Sequence, residues 1–374
     1  MSIAYRFIEP LDVLSLRGNK LFGASGSLGE SLVLPWPSAV AGALRSMILA
    51  ADGVDVAAFS RGATRHPTLG TPAEPGSFEL VALDLARRGP TGEIETLHAL
   101  PADLIVTGDR DKGFKIDRLR PVTPAAGLAS SAPLALWPVR VEARRGKAVG
   151  GHWLTQAAWG EYLAGGVPSD SQLVQADGLW KVDTRVGVGL DSATGSAEDG
   201  KLFTVEQIAF SRGVGFLAAI RGAEPPASGV LRLGGDGRGA ALHAVEYARP
   251  CADFDAIARA RRCRVVLTTP GIFRDGWLLP GVDDDRRIAL HDIKGRLTCA
   301  AVPRAEVVSG WDLALRQPKD ALRAAPAGSV YWIDDLDATP EQLGKLAERG
   351  LWASPSDNAS RKAEGFSRFA FASC

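Results

Sequence analysis

The stretch LPWPSAVAGALRSMIL, residues 34–49, poses one physical problem: an apolar helix with an arginine at its centre. Pro35 and Pro37 hold the approach extended, because each ring fixes its own φ and turns the preceding residue away from α. Ser38 is placed to cap the helix, its hydroxyl accepting from a first-turn amide. Val40, Leu44, Met47 and Ile48 recur at helical spacing, and Ala41, Gly42 and Ala43 keep the rest slim. Gly53 is placed to stop it. Two roles fit Arg45: a snorkelling side chain tied to a carboxylate of its own domain, or a guanidinium held out to a ligand anion.

Outward from this helix, a length of 374 residues fits two domains, divided near residue 170 into 1–170 and 171–374. A hydrophobic fraction of 46% against 23% charged residues is ordinary for a chain with sizeable cores. No window approaches the ~18 uninterrupted apolar residues of a membrane span. MSIAYRFIEP lacks the basic start and apolar core of a secretory signal. Cys251, Cys263, Cys299 and Cys374 form no CxxC pair, which points to reduced thiols in the cytoplasm. With 43 basic and 43 acidic residues, long-range attraction cannot coat nucleic acid with this protein, although a local groove remains open to it. RDKGFKIDRLR (110–120), RVEARRGK (140–147) and RARRCR (259–264) are the basic windows, each readable as a groove or as a solvated face.

Strand patterns occur at 3–9 and 78–85, and again in FLAAIRG, GVLRLGG, AALHAVEYA and RVVLTT. Helical patterns occur at 38–51, 152–164, 204–211, 253–262 and 340–349. Thr204 with Gln207, and Thr339 with Gln342, match the capping box, the second with Pro340 at the first helical position. AAPAGSVYWID reads as a core strand entered through a turn. Strands mixed irregularly with a few helices indicate an α+β fold.

Candidate enzyme motifs fail on the atoms they require. GSAEDGKL (195–202) matches GxxxxGK but places Leu202 where a magnesium-holding hydroxyl belongs. RLGGDGR (232–238) has Gly237 where two-metal chemistry needs a second carboxylate. It is a hairpin turn or a backbone nest for phosphate, with Arg238 beside it. The five histidines share no ligand spacing, and neither GxSxG nor HExxH occurs.

Taken in order, FIEPLDVLSLRGNKLFG (7–23), the 34–49 segment, RVGVGLDSATGSAEDGKLFTVEQIAF (185–210), GVLRLGGDGR (229–238) and AAPAGSVYWID resemble one family. It is the third Cmr family of RAMP proteins, from type III-B CRISPR effector complexes. The resemblance implies two ferredoxin-like (RRM-like) domains with long inserted loops. It also implies a non-catalytic role gripping the repeat-derived 5′ tag of the CRISPR RNA, with no metal or cofactor. The implied neighbours are a Cas10-type large subunit and the backbone RAMP subunit. The RNA contacts expected are Arg17, Lys20, Ser38, Arg45, Arg185 and Arg238, with Trp36 and Phe22 as stackers or core residues. RAMP proteins usually carry a glycine-rich loop near the C-terminus; here AEGFSRFAFASC keeps only Gly365, and Phe366 or Phe369 is the expected substitute. The rival readings are a RAMP endoribonuclease processing precursor RNA, a nucleotide-binding enzyme using GSAEDGK, and a scaffold touching protein alone.

Overall fold

A computed structural model describes residues 2–18, 28–111, 113–132, 134–141, 146–312, 317–354 and 358–374. Its α+β architecture rests on two large antiparallel sheets. The first runs, edge to edge, Ser228–Arg232, Gly239–Ala244, Ile3–Pro10, Val214–Arg221, Glu79–Arg88, Ile94–Ala99, His152–Leu154 and Leu173–Gln175. The second runs Arg287–Leu290, Ile293–Ala301, Val330–Asp337, Cys263–Leu267 and Phe369–Ala372. Among the described residues, six α-helices accompany them: α1 Pro37–Ala51, α2 Val56–Ser60, α3 Gln156–Leu163, α4 Phe254–Ala260, α5 Pro340–Arg349 and α6 Ala359–Ala363.

Helix α1 buries Val40, Ala41, Leu44, Ile48 and Leu49 in a cluster with Phe78 and with Ile8, Leu80, Phe216 and Ile220 of the first sheet. Each fully buried aliphatic side chain there contributes about 1.5–3 kcal/mol. The second cluster joins Val265, Tyr331, Ile333 and Phe371 to Leu343 of α5, and also to Leu104, Leu154, Trp159 and Tyr162. Residues on both sides of position 170 therefore enter the second core. AAPAGSVYWID does enter the core as a strand, with Val330 and Tyr331 wholly buried behind the Pro326–Ser329 turn.

Three local expectations are corrected. The helix expected at 204–211 is part of the strand Ala197–Phe210, paired along its length with Trp180–Leu190. One capping-box match cannot outweigh a ladder of backbone bonds set by β-branched and aromatic residues. In the 152–164 segment, His152–Leu154 is a strand, and Thr155 caps α3 by accepting from the Ala158 amide. Ser38 is not the cap of α1: Pro37 takes the first helical position, Trp36 is the N-cap with ψ 143°, and no side chain caps it. Proline at that position has no amide to satisfy, which removes one of the donors a serine would serve. The Thr339–Gln342 box forms as expected, at 3.3 and 2.7 Å.

Candidate nucleic-acid interface

Arg45 lies on the side of α1 facing Phe78 and the C-terminal tail. Two residues on, about 200° round the helix, Met47 packs over Gly229, where a Cβ would come within 2.5 Å of its methyl. The Arg45 guanidinium sits 4.9 Å over the Phe78 ring. Its Nε is buried with no hydrogen-bond partner among the described residues. Burial pulls its pKa below the ordinary arginine value, and the Glu364 carboxylate pulls it back up. Glu364 is already claimed twice, by Lys319 at 2.9 Å and by Arg361 at 3.1 Å. The carboxylate partner that a snorkelling arginine needs is therefore shared among three cations.

A second cation group lies on the other side of α6. Glu79, at the start of its strand, accepts from Arg221 through one oxygen and from Arg368 through the other. Both arginines also donate to the Glu348 carbonyl in the last turn of α5, Arg368 at 2.9 Å and Arg221 at 3.3 Å. Arg349 follows on that turn, and Lys362 comes from α6, which packs on the Glu79–Arg88 strand. Burial lowers the Lys362 pKa; Glu79 opposes this, while Arg368, Arg349 and Arg221 add to it. Along this seam, among the described residues, seven cationic side chains surround the two carboxylates Glu79 and Glu364.

The tail closes the seam without cradling anything. Gly365 has φ +94°, and a Cβ there would meet the Leu80 carbonyl at 2.8 Å, so its role is close approach to the strand. The stacking expected from Phe366 and Phe369 is not available. Phe366 is fully buried with Val308, Ala324 and Trp352, and Phe369 packs edge-on against Phe371. Trp36 joins the Phe366 cluster, so it rivets the approach to α1 onto the C-terminal half.

The remaining expected residues are dispersed. Ser38 is the second residue of α1 and half-buried. Arg17 is exposed, its backbone bridged to Ser31. Arg238 ends the glycine turn that docks on the Ser15 carbonyl and pairs with Asp12 at 2.7 Å, so its turn packs on the loop that carries Arg17. Arg185 is exposed on the long hairpin and pairs with Asp183 at 2.8 Å. Lys20 and Phe22 lie outside the described residues. Sequence reasoning missed Arg221, Arg349, Lys362 and Arg368; the signal was the tail SRKAEGFSR, which was weighed for its glycines and not for its cations.

Several arginines of the basic windows are paired within the chain. Arg140 pairs with Asp117, Arg110 with Asp177, and Arg264 with Asp103 at 2.6 Å in the core. GSAEDGK forms the tip of a β-hairpin, where Lys201 pairs with Glu198 at 2.6 Å; the helix that a phosphate loop must lead into is replaced by a strand. Thr96, His98 and Asp84 line up at 3.0 and 3.5 Å in the order of an acyl-transfer triad. The Thr96 hydroxyl is fully buried, however, and His98 is stacked on Trp159, so no substrate reaches them. Among the described residues no group of His, Cys, Asp and Glu could hold a metal ion, and no helix is long and apolar enough to cross a membrane.

The fold and seam define an antiparallel α+β protein with an under-neutralised cationic face. Residues 6–371 match the family model of the CRISPR-associated protein Cas_Cmr3, so the chain belongs to that family. It is also similar to a chain in the cryo-EM structure of the Type III-B Cmr-beta bound to cognate target RNA and AMPPnP. That match has TM-score 0.51 and 14% identity, covering 96% of this chain and 92% of the other. A chain in the structure of the Type III-B Cmr-beta bound to cognate target RNA gives TM-score 0.46 and 13% identity, with coverage of 88% and 86%. No curated protein matches.

Proposed function

We propose that this chain is a guide-RNA-binding subunit of a type III-B CRISPR interference ribonucleoprotein in the cytoplasm. It grips the repeat-derived 5′ tag and docks a Cas10-type large subunit and a backbone RAMP subunit, with no catalysis of its own. The observation that carries this is Arg45, a half-buried arginine over Phe78 whose buried Nε has no partner among the described residues, while Glu364, the carboxylate acting on it, is held by two other cations. A phosphate is the anion that such a group lacks. Single-stranded RNA supplies phosphates in series, which suits a seam of cations better than a single pocket. Family membership supports the same reading.

Strand order supports the ferredoxin-like architecture of both halves. Numbered along the chain, Ile3–Pro10, Glu79–Arg88, Val214–Arg221 and Gly239–Ala244 stand in spatial order 4-1-3-2. Cys263–Leu267, Ile293–Ala301, Val330–Asp337 and Phe369–Ala372 repeat that order. Helix α1 follows the first strand of one set and α5 the third strand of the other, as two parts of a βαββαβ plan.

The test is a tagged pull-down from native cells, with copurifying proteins identified and the 5′ ends of bound RNA sequenced. A Cas10-type subunit and RNAs sharing one repeat-derived 5′ end are expected. Recovery of the protein alone, or with unrelated RNA, rejects the proposal.

A further inference from the structure

Glu79 is surrounded in a way that a structural ion pair does not require. One carboxylate serves two arginines, Arg221 and Arg368, and each of them is fixed from behind by the Glu348 carbonyl. Lys362 and Arg349 complete the ring, and among the described residues neither has a carboxylate in ion-pair range. Two guanidinium groups converging on one pair of oxygens is also the geometry that binds a phosphodiester. The two arginines differ in access: the Arg368 side chain is 3% exposed and that of Arg221 is 24%. An anion can therefore approach from the Arg221, Lys362 and Arg349 side, while Arg368 forms the floor.

We propose that the Glu79 carboxylate is the resident anion of a phosphate-binding site, and that a backbone phosphate of bound RNA displaces it from Arg221. The inference rests on the RNA-binding reading for its natural ligand, but the site itself is defined by its cations. In the unbound protein, Glu79 keeps Arg221 and Arg368 oriented and limits repulsion among four positive groups. In the bound protein, the phosphate takes over that neutralisation and recruits Lys362 and Arg349, which Glu79 leaves unpaired. Glu79 thereby sets a threshold: an anion must offer more than one carboxylate's worth of interaction to enter.

The experiment uses Glu79→Gln, which keeps the side chain's shape and removes its charge, in the full chain. Thermal melting at fixed ionic strength is followed as inorganic phosphate replaces chloride, and binding of a single-stranded 5′-tag RNA is measured across salt concentrations. Phosphate is expected to raise the melting temperature of Glu79→Gln and to leave the parent unchanged. RNA affinity of the variant is expected to rise about fivefold or more, with a salt slope steeper by about 0.7, because the carboxylate no longer cancels one of the site's cations. No phosphate response together with an unchanged slope overturns the inference, even where the parent protein binds RNA well. Failure of both proteins to bind RNA, with the phosphate response intact, would leave this site standing and remove the RNA-binding reading instead. Should Glu79→Gln fail to fold, Lys362→Gln in the parent background decides: its RNA salt slope is expected to fall by about 0.7, and an unchanged slope overturns the inference.

Discussion

Replacing Arg45 with methionine separates a ligand-binding role from a structural one. Methionine keeps a flexible apolar stem of similar reach, so packing against Phe78 survives while the charge is lost. On the fold side, the buried Nε without a partner costs about 1–3 kcal/mol in the parent. Stacking of the cation on the Phe78 ring at 4.9 Å offsets that by about 0.5–2 kcal/mol. These terms nearly cancel, so Arg45→Met should unfold in urea within about 1 kcal/mol of the parent, or above it. On the binding side, a charge-assisted contact to phosphate is worth about 1.5–3 kcal/mol, a loss of about 10- to 100-fold in affinity for the 5′-tag RNA. The salt slope should fall by about 0.7 as one phosphate loses its cation. Fluorescence anisotropy with a labelled tag oligonucleotide reads both quantities. A variant that loses more than about 2 kcal/mol of stability while keeping its affinity and slope would show that Arg45 ties α1 to its own domain.

Three further outcomes test the packing of the two cores and the tail. His98 is held neutral by burial at a pKa of about 4, against 6.5 when free, with Asp84 opposing the shift and Arg249 adding to it. Below pH 6.5 the unfolded chain binds a proton that the folded chain refuses, so stability should fall by about 2 kcal/mol on going to pH 5. Melting temperatures that stay flat between neutral pH and pH 5 would contradict the burial of a neutral imidazole. Gly365→Ala forces a Cβ into the Leu80 carbonyl at a φ of +94°, and a denaturant midpoint should record a loss of about 1–3 kcal/mol. Asp103→Asn leaves the buried Arg264 cation without the carboxylate at 2.6 Å that also accepts from the Tyr162 hydroxyl at 2.7 Å. It should cost about 3–5 kcal/mol by the same measurement, and parental stability would show that the two charges do not need each other.

What the sequence disclosed was local, and what it concealed was assembled from a distance. Helix α1 and its buried face follow from the spacing of Val40, Leu44 and Ile48, because a helix is specified within a few turns. The Thr339–Gln342 box is visible for the same reason, both partners lying within one turn. The strand through Thr204 and Gln207 was misread because its pairing partners begin about twenty residues upstream, out of reach of any capping pattern. Arg45 was legible as an anomaly, a cation in an apolar stretch, although its lack of a partner was not. Glu79 and its ring could not be seen at all: Glu79 and Arg368 are separated by 289 residues, and only the docking of the tail on the Glu79–Arg88 strand brings them together. The tail's single glycine was expected to matter for phosphate, yet its conformation serves contact with Leu80, and the cations on either side carry the charge.

The neutrality of the chain, which argues against indiscriminate binding, also explains how a local site can stand out. Three arginines of the basic windows have a carboxylate close by: Arg264 has Asp103 in the core, Arg140 has Asp117, and Arg110 has Asp177 on the surface. Arg118 is spent on the carbonyls of Gly165 and Gly166. Cations neutralised in this way project little field, so these arginines add less to attraction at a distance than the sequence suggests. The seam differs because its carboxylates are outnumbered where α6 crosses from Glu364 to Glu79. If RNA is bound as proposed, the chain's neutrality supplies no general field to gather it, and salt screens its approach to this face within about 10 Å. On the RNA-binding reading proposed above, such an arrangement discriminates by position: a backbone delivered to the seam meets more cations than the two carboxylates there can neutralise.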